Sequence, residues 1–161
     1  KEHFENPVSL NELVANGLNA EEYAAVFIPG GHGAMLGLPE DENVDTVLNW
    51  AHDNEVYTIS ICHGPAAFLS TYKSGSEFMF RGYEMAVFPD SVDAQTPIIG
   101  YLPGKMRSGL SEKLKTLGVL LANSKADNTV CRDRLLITGA SPLAANALGK
   151  LAVETLTSAQ K

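Results

Sequence analysis

Cys62 stands where a β-branched apolar run, Thr58-Ile59-Ser60-Ile61, gives way to His63-Gly64-Pro65-Ala66-Ala67. A cysteine at such a junction is thrust out on a sharp strand-to-helix turn, and small residues two positions before and after it let the backbones close together. Here those residues are Ser60 and Gly64. At the head of a helix, free N–H groups and the positive dipole end favour thiolate over thiol. His63 follows at once, so one short segment offers a nucleophile and a base. A cysteine packed at a strand end as a small hydrophobe is the plainer alternative; the elbow pattern favours catalysis.

Two further segments could complete such a site. Gly30-Gly31-His32-Gly33 follows an apolar run, and glycines there would let backbone N–H groups approach a bound carbonyl. Gly31 N–H and His63 N–H could then form an oxyanion hole, although a plain strand-ending turn would use the same residues. Pro89-Asp90-Ser91-Val92-Asp93 supplies two carboxylates, either of which could fix the tautomer of His63. Loop aspartates after a proline more often cap or turn the chain.

The order of elements suits that arrangement. Tyr23 to Ile28 and Val56 to Ile61 are near-continuous apolar runs, the mark of strands covered on both faces. Between them, Val44, Val47, Leu48 and Ala51 give helical spacing over Asp41 to Asp53. A helix near residues 8–17, a strand over Tyr83 to Phe88, a helix around 109–117 ended by Gly118, and strands at Val119-Leu120-Leu121 and Leu135 to Thr138 follow the same logic. Ser141-Pro142 opens a last helix, while Thr96 to Gly104, with two prolines and two glycines, fits no regular element. Strand, glycine loop, helix, strand, elbow and helix in succession predict a parallel α/β sheet, whose ligands bind beyond the carboxyl ends of the strands.

Composition narrows the class. A chain of 161 residues with 45% hydrophobic residues suits a single α/β domain. Its apolar runs are far shorter than the roughly 20 residues that cross a bilayer, and no basic-then-apolar leader opens it. A net charge of −7 and a pI near 5.0 argue against direct nucleic-acid binding. Cys62 and Cys131 have neither CxxC nor metal-ligand spacing, which fits a reducing cytoplasm.

Ile61 to Leu69, Ile28 to Ala34 and the ending Gly139 to Ala152 together resemble the ThiJ/PfpI superfamily, and within it the bacterial heat-shock chaperone thirty-one branch, also called glyoxalase III or protein deglycase. The likeness covers nearly the whole chain. It implies a flavodoxin-like fold, related to class I glutamine amidotransferases, with Cys62 as nucleophile, His63 as base, Asp93 rather than Asp90 as acid, Gly31 as oxyanion donor and His32 lining the pocket. Superfamily members also begin with a strand and helix carrying a glutamate that bonds the thiol, and this branch adds a cap and a two-histidine, one-carboxylate zinc site in that early segment. Neither is visible here; His3 does not fall at the family's position, no metal residue is assigned, and the domain is expected to lack its first strand, helix and cap, leaving an unpaired sheet edge.

The resemblance implies attack of Cys62 on methylglyoxal or glyoxal without glutathione, an aldehyde-to-acid isomerisation relayed by the glutamate or His63, and release of D-lactate or glycolate. The same thiol would free early glycation adducts from cysteine, lysine or arginine. No cofactor is required. Holding of unfolded polypeptides, with or without catalysis, and peptidase or amidase action are the alternatives, and a cytoplasmic homodimer is the implied setting.

Overall fold

A computed structural model describes residues 5–73, 75–98, 100 and 109–159. Four strands form the main sheet: β1 (Ala25–Ile28), β2 (Tyr57–Ile61), β5 (Val130–Asp133) and β6 (Leu136–Gly139), in the order β1-β2-β6-β5. The first three run parallel, and β5 pairs antiparallel with β6. Two short strands, β3 (Glu84–Met85) and β4 (Leu120–Leu121), make a separate parallel pair. The α-helices are α1 (Leu10–Asn16), α2 (Glu42–Asp53), α3 (Asp90–Asp93), α4 (Leu110–Thr116) and α5 (Ala145–Ala159). This is the predicted α/β architecture, a mostly parallel sheet flanked by helices.

Sequence chemistry explains the element ends. Asp41 caps α2, its Oδ1 accepting the N–H groups of Asn43 at 2.8 Å and Val44 at 3.0 Å. At the far end, Ser141 Oγ accepts the Leu143 N–H, but Pro142–Ala144 is a 3-10 turn and the α-helix begins only at Ala145.

The core lies on both faces of the sheet. On one, Val44 and Leu48 of α2, Phe68, Phe80, Met85, Leu110 and Leu114 pack against Leu136; Phe68 and Phe80 stack with centroids 4.4 Å apart. On the other, Leu148 and Ala152 of α5 cover Ile59 and Ile137. That second cover reaches β1 only at Ala25 among the described residues. Among the described residues β1 pairs only with β2, and Phe27 is 57% exposed, so β1 is an edge strand with an open face rather than one buried on both faces as its apolar run predicts.

The segment after the elbow departs from expectation too. Gly64–Thr71 is entirely buried and forms a 3-10 helix, not an α-helix, with the hydroxyls of Ser70 and Thr71 bonding the carbonyls three residues back. The strand predicted over Tyr83 to Phe88 pairs only at Glu84–Met85, and β5 is a strand that periodicity did not single out. His3 and part of the Thr96 to Gly104 stretch lie outside the described residues. No helix among the described residues is long and apolar enough to cross a membrane.

Register positions the site. Ile28 pairs with Ser60 and Ile61 with Gly139, so the carboxyl ends of β1, β2 and β6 lie side by side. Their continuations, Pro29-Gly30-Gly31, Cys62-His63 and Ala140-Ser141-Pro142, therefore share one rim of the sheet.

Candidate active site

Cys62 has a backbone φ of 62°, in the left-handed region that non-glycine residues seldom occupy. Neighbouring strand ends hold it there: Cys62 N–H donates to the Gly139 carbonyl at 2.8 Å, and Phe88 N–H donates to the Cys62 carbonyl at 3.0 Å. Such strain persists only where the surroundings over-determine it, and it concentrates at functional sites. The small neighbours predicted from the elbow pattern are sterically required. A Cβ on Gly64 would lie 2.3 Å from Ser60 Oγ, and one on Gly30 would lie 2.6 Å from Cys62 Cβ. Gly31, at φ 102°, has a conformation that favours glycine.

The structure brings Cys62, His63, Asp93, His32 and Gly31 together. His63 Nδ1 is 3.3 Å from Cys62 Sγ, and His63 Nε2 is 2.8 Å from Asp93 Oδ2. An ionised Asp93 can only accept, which places the proton of neutral His63 on Nε2 and leaves Nδ1 to face the thiol. Asp93 Oδ1 is also 2.9 Å from His32 Nε2. Asp90, the other carboxylate considered, does something else: its two oxygens accept the N–H groups of Ser111 at 3.0 Å and Glu112 at 2.9 Å, capping α4 from another segment.

Burial sets the protonation states. It pushes the Cys62 thiol above its ordinary value, more than the Gly31 and His63 amides at the sulfur lower it, and the charge of Asp93 adds to the rise. Burial of Cys62, only 6% exposed, thus works against the thiolate that the elbow pattern predicts. Burial pulls His63 below its ordinary value despite the hydrogen bond and charge of Asp93. His63 is therefore neutral at pH 7 and able to take the thiol proton when substrate arrives. Cys131, pushed up to about 11 by burial and by Glu84 and Asp133, is a poor nucleophile at neutral pH.

A cavity of about 320 Å³ opens onto this group, lined by Gly30, Gly31, His32, Ile61, Cys62, His63, Phe88, Thr96 and Pro142. Sequence reasoning missed Phe88, Thr96 and Pro142. Phe88 stacks on His63 with centroids 4.5 Å apart; its place directly before Pro89-Asp90 was the available signal. Asn123 holds the approach to it, accepting the Val87 N–H and donating to the Val87 carbonyl, each at 2.9 Å.

His32, His63 and Asp93 are also the one described group with metal-ligand chemistry. Their nitrogen–oxygen separations of 2.8 and 2.9 Å are hydrogen-bond lengths, tighter than the about 3.3 Å between ligands on tetrahedral zinc with bonds near 2.0 Å. The cluster fits shared protons better than a metal ion.

Similarity to known proteins agrees with this picture. The backbone superposes on the Rapid Encystment Protein 24 kDa of Francisella tularensis with a TM-score of 0.78 at 24% identity, over 96% of this chain and 65% of that one. On glyoxalase III of Candida albicans the TM-score is 0.68 at 21% identity, over 95% of this chain and 68% of that one. No family model matches. Sequence likeness goes further, to 49% identity over 160 residues, 99% of this chain, with a curated protein of Escherichia coli. The sequence likeness is thus to a protein/nucleic acid deglycase. The Escherichia coli relative is protein/nucleic acid deglycase HchA, and the chain spans 56% of its length.

Proposed function

We propose that the protein carrying this chain is a glutathione-independent glyoxalase III and protein deglycase, with Cys62 as nucleophile, His63 as its base, Asp93 as the orienting acid and Gly31 as an oxyanion donor. The observation that carries this reading is the Cys62–His63–Asp93 relay, 3.3 and 2.8 Å long, at the floor of an accessible cavity. His63 Nδ1 takes the thiol proton as sulfur bonds to the aldehyde carbon of methylglyoxal or glyoxal. The amides of Gly31 and His63, already directed at the sulfur, stabilise the oxygen as charge moves onto it. Proton transfer between the two substrate carbons then yields a thioester, and water releases D-lactate or glycolate. The chemistry draws on a thiol, imidazole and backbone amides and calls for no cofactor. Attack on a hemithioacetal or aminocarbinol by the same thiol accounts for deglycation, and the 49% identity to a deglycase supports it.

Further expectations belong to the same reading. A strand and helix complete the sheet beside β1, supported by the exposed Phe27 and by the greater length of the deglycases. The protein works as a cytoplasmic homodimer and holds unfolded chains under stress. Support for holding comes from Leu36, Ile98 and Leu143, which are 79%, 84% and 70% exposed and lie in the loops that carry His32, Thr96 and Pro142 to the cavity.

Cys62→Ala tests the catalytic reading. Methylglyoxal consumption and lactate formation should vanish while the far-UV circular dichroism spectrum is retained. Continued turnover would refute it, and cleavage of casein by the wild type without dicarbonyl consumption would favour a peptidase. Suppression of client aggregation should survive the substitution.

A further inference from the structure

A second cavity, of about 270 Å³, lies where β2 and β6 begin, at the ends of those strands remote from Cys62. It falls just below the about 300–1,000 Å³ of sites for drug-sized molecules, so its occupant is small. Leu48, Phe80 and Leu136 give it apolar walls, and three other lining groups point to a polar ligand. Thr58 is 7% exposed, yet its hydroxyl makes no hydrogen bond among the described residues. No described side-chain oxygen is both sealed from solvent and unpaired, so the Thr58 oxygen opens into the cavity that Thr58 lines. A hydroxyl this deep without a partner is unfavourable. Arg134 is the first residue of the two-residue turn between β5 and β6, at φ 54°, where glycine or asparagine is usual. Its guanidinium lies 4.0 Å over the Tyr83 ring, and the nearby Asp133 carboxylate, 3.7 Å from Nη1, is too far for a hydrogen bond. Glu55 follows the end of α2 at φ 56°, again a glycine position, and makes no ion pair among the described residues. Two residues in unfavourable backbone conformations thus bring opposite, unspent charges to one cavity.

We infer that this cavity binds a free α-amino acid with a short apolar side chain. Arg134 holds the carboxylate, to which its planar fork of N–H donors is matched. The Thr58 hydroxyl donates to the same carboxylate from inside the cavity, Glu55 takes the ammonium group, and the side chain lies against Leu48, Phe80 and Leu136. The paired charges decide the ligand class. A plain carboxylate would meet Glu55 and a plain amine would meet Arg134, whereas a zwitterion answers both. His52, which also lines the cavity, already has the Asp53 carboxylate at 3.5 Å. Volume restricts the ligand to a single amino acid, not a peptide. The site uses none of the groups around Cys62, so occupancy and chemistry at the elbow are separate properties of the chain.

L-leucine is the probe. Titrated into the complete protein, it should give saturable one-to-one heat in calorimetry, with amide NMR shifts gathered at residues 55–58 and 134–136 rather than at Gly31 and Cys62. 4-Methylpentanoate, which lacks the ammonium group, and 3-methylbutylamine, which lacks the carboxylate, should each bind about 10-fold or more weakly, the loss of one hydrogen bond to a charged group. Arg134→Gly, whose new residue suits the turn, should weaken L-leucine by about 10–100-fold. Thr58→Val keeps the side-chain shape and should weaken it by about 3–10-fold, while the thermal midpoint of the free protein stays level or rises, since an unpaired hydroxyl has no bond to lose. Absence of heat at millimolar L-leucine overturns the inference, as do shifts confined to Gly31 and Cys62. Equal affinity for L-leucine and 4-methylpentanoate overturns the amino-acid class. A lowered thermal midpoint in Thr58→Val with unchanged L-leucine affinity would make Thr58 a structural residue and overturn its place in the site.

Discussion

At Cys62, desolvation and local amides act in opposite directions, and desolvation wins. The sulfur is held on a left-handed bend beside two N–H groups that favour its anion, yet burial keeps it a thiol. Its neighbour moves the other way, His63 being held neutral by the same burial. These directions fix the pH behaviour. A raised thiol pKa means that alkylation of the free protein by iodoacetamide should climb with pH to a midpoint above the ordinary thiol value of about 8.5. A lowered imidazole pKa means that kcat/KM should fall only below the ordinary histidine value of about 6.5. Stability shares that acid limb: His63 binds its proton more readily in the unfolded chain, so its contribution is complete above the ordinary value and is lost as pH falls through the lowered one. A thiol midpoint well below 8.5 in a pH series of alkylation rates would show that the amides prevail over burial.

Among the elements, α4 is the clearest case of one segment completing another. Its N-cap is Gly109, which has no side-chain oxygen to offer, and Asp90 supplies both acceptors from α3. The fit is close, since a Cβ on Gly109 would overlap the Asp90 carboxylate. Asp93 lies one turn further along α3, so the cap also positions the acid of the relay. Asp90→Ala should cost about 1–2 kcal/mol in urea unfolding, as loss of a cap does, and should lower turnover by displacing Asp93. Asp90→Asn retains an acceptor oxygen and should recover most of both; equal losses in the two variants would contradict the capping role. Asp90 also shows what was legible in the sequence. Pro89-Asp90-Ser91-Val92-Asp93 read correctly as a source of carboxylates, but only tertiary packing separates the cap from the relay. The runs of β1 and β2 were readable because they are continuously apolar, although that overstated the burial of β1, and α2 was readable because burial of one face writes a helical period into it. β5 was not, because Val130-Cys131-Arg132-Asp133 sets two charged residues after two apolar ones at an edge and so carries neither a continuous apolar run nor a period of two. The 3-10 form of Gly64–Thr71 was hidden for a different reason: an alanine-rich segment suits an α-helix, and hydroxyl bonding by Ser70 and Thr71 within a fully buried turn is a tertiary outcome.

For the molecule as a whole, the two faces of the sheet are unequally covered. Among the described residues, α2, Gly64–Thr71 and α4 close one face, whereas the cover on the other comes from α5, which lies over β6 and β2 and leaves β1 shielded only at Ala25. Parallel strands are stable chiefly when both faces are shielded, and among the described residues β1 has one side unpaired and Phe27 open. An exposed apolar edge beside the rim that carries Cys62 invites pairing with other strands. That is the physical ground for the proposal above that a further strand and helix pack there. The two alternatives differ by a measurable amount at Phe27. In the complete protein, Phe27→Ala should cost about 3–5 kcal/mol if a helix covers the ring, as truncation of a buried phenylalanine does. If the ring faces solvent, the cost should stay within about 0.5 kcal/mol. Urea unfolding of the wild type and the variant decides between them, and because Ile28 leads directly into Gly30 and Gly31, a covered Phe27 should also make turnover sensitive to the substitution.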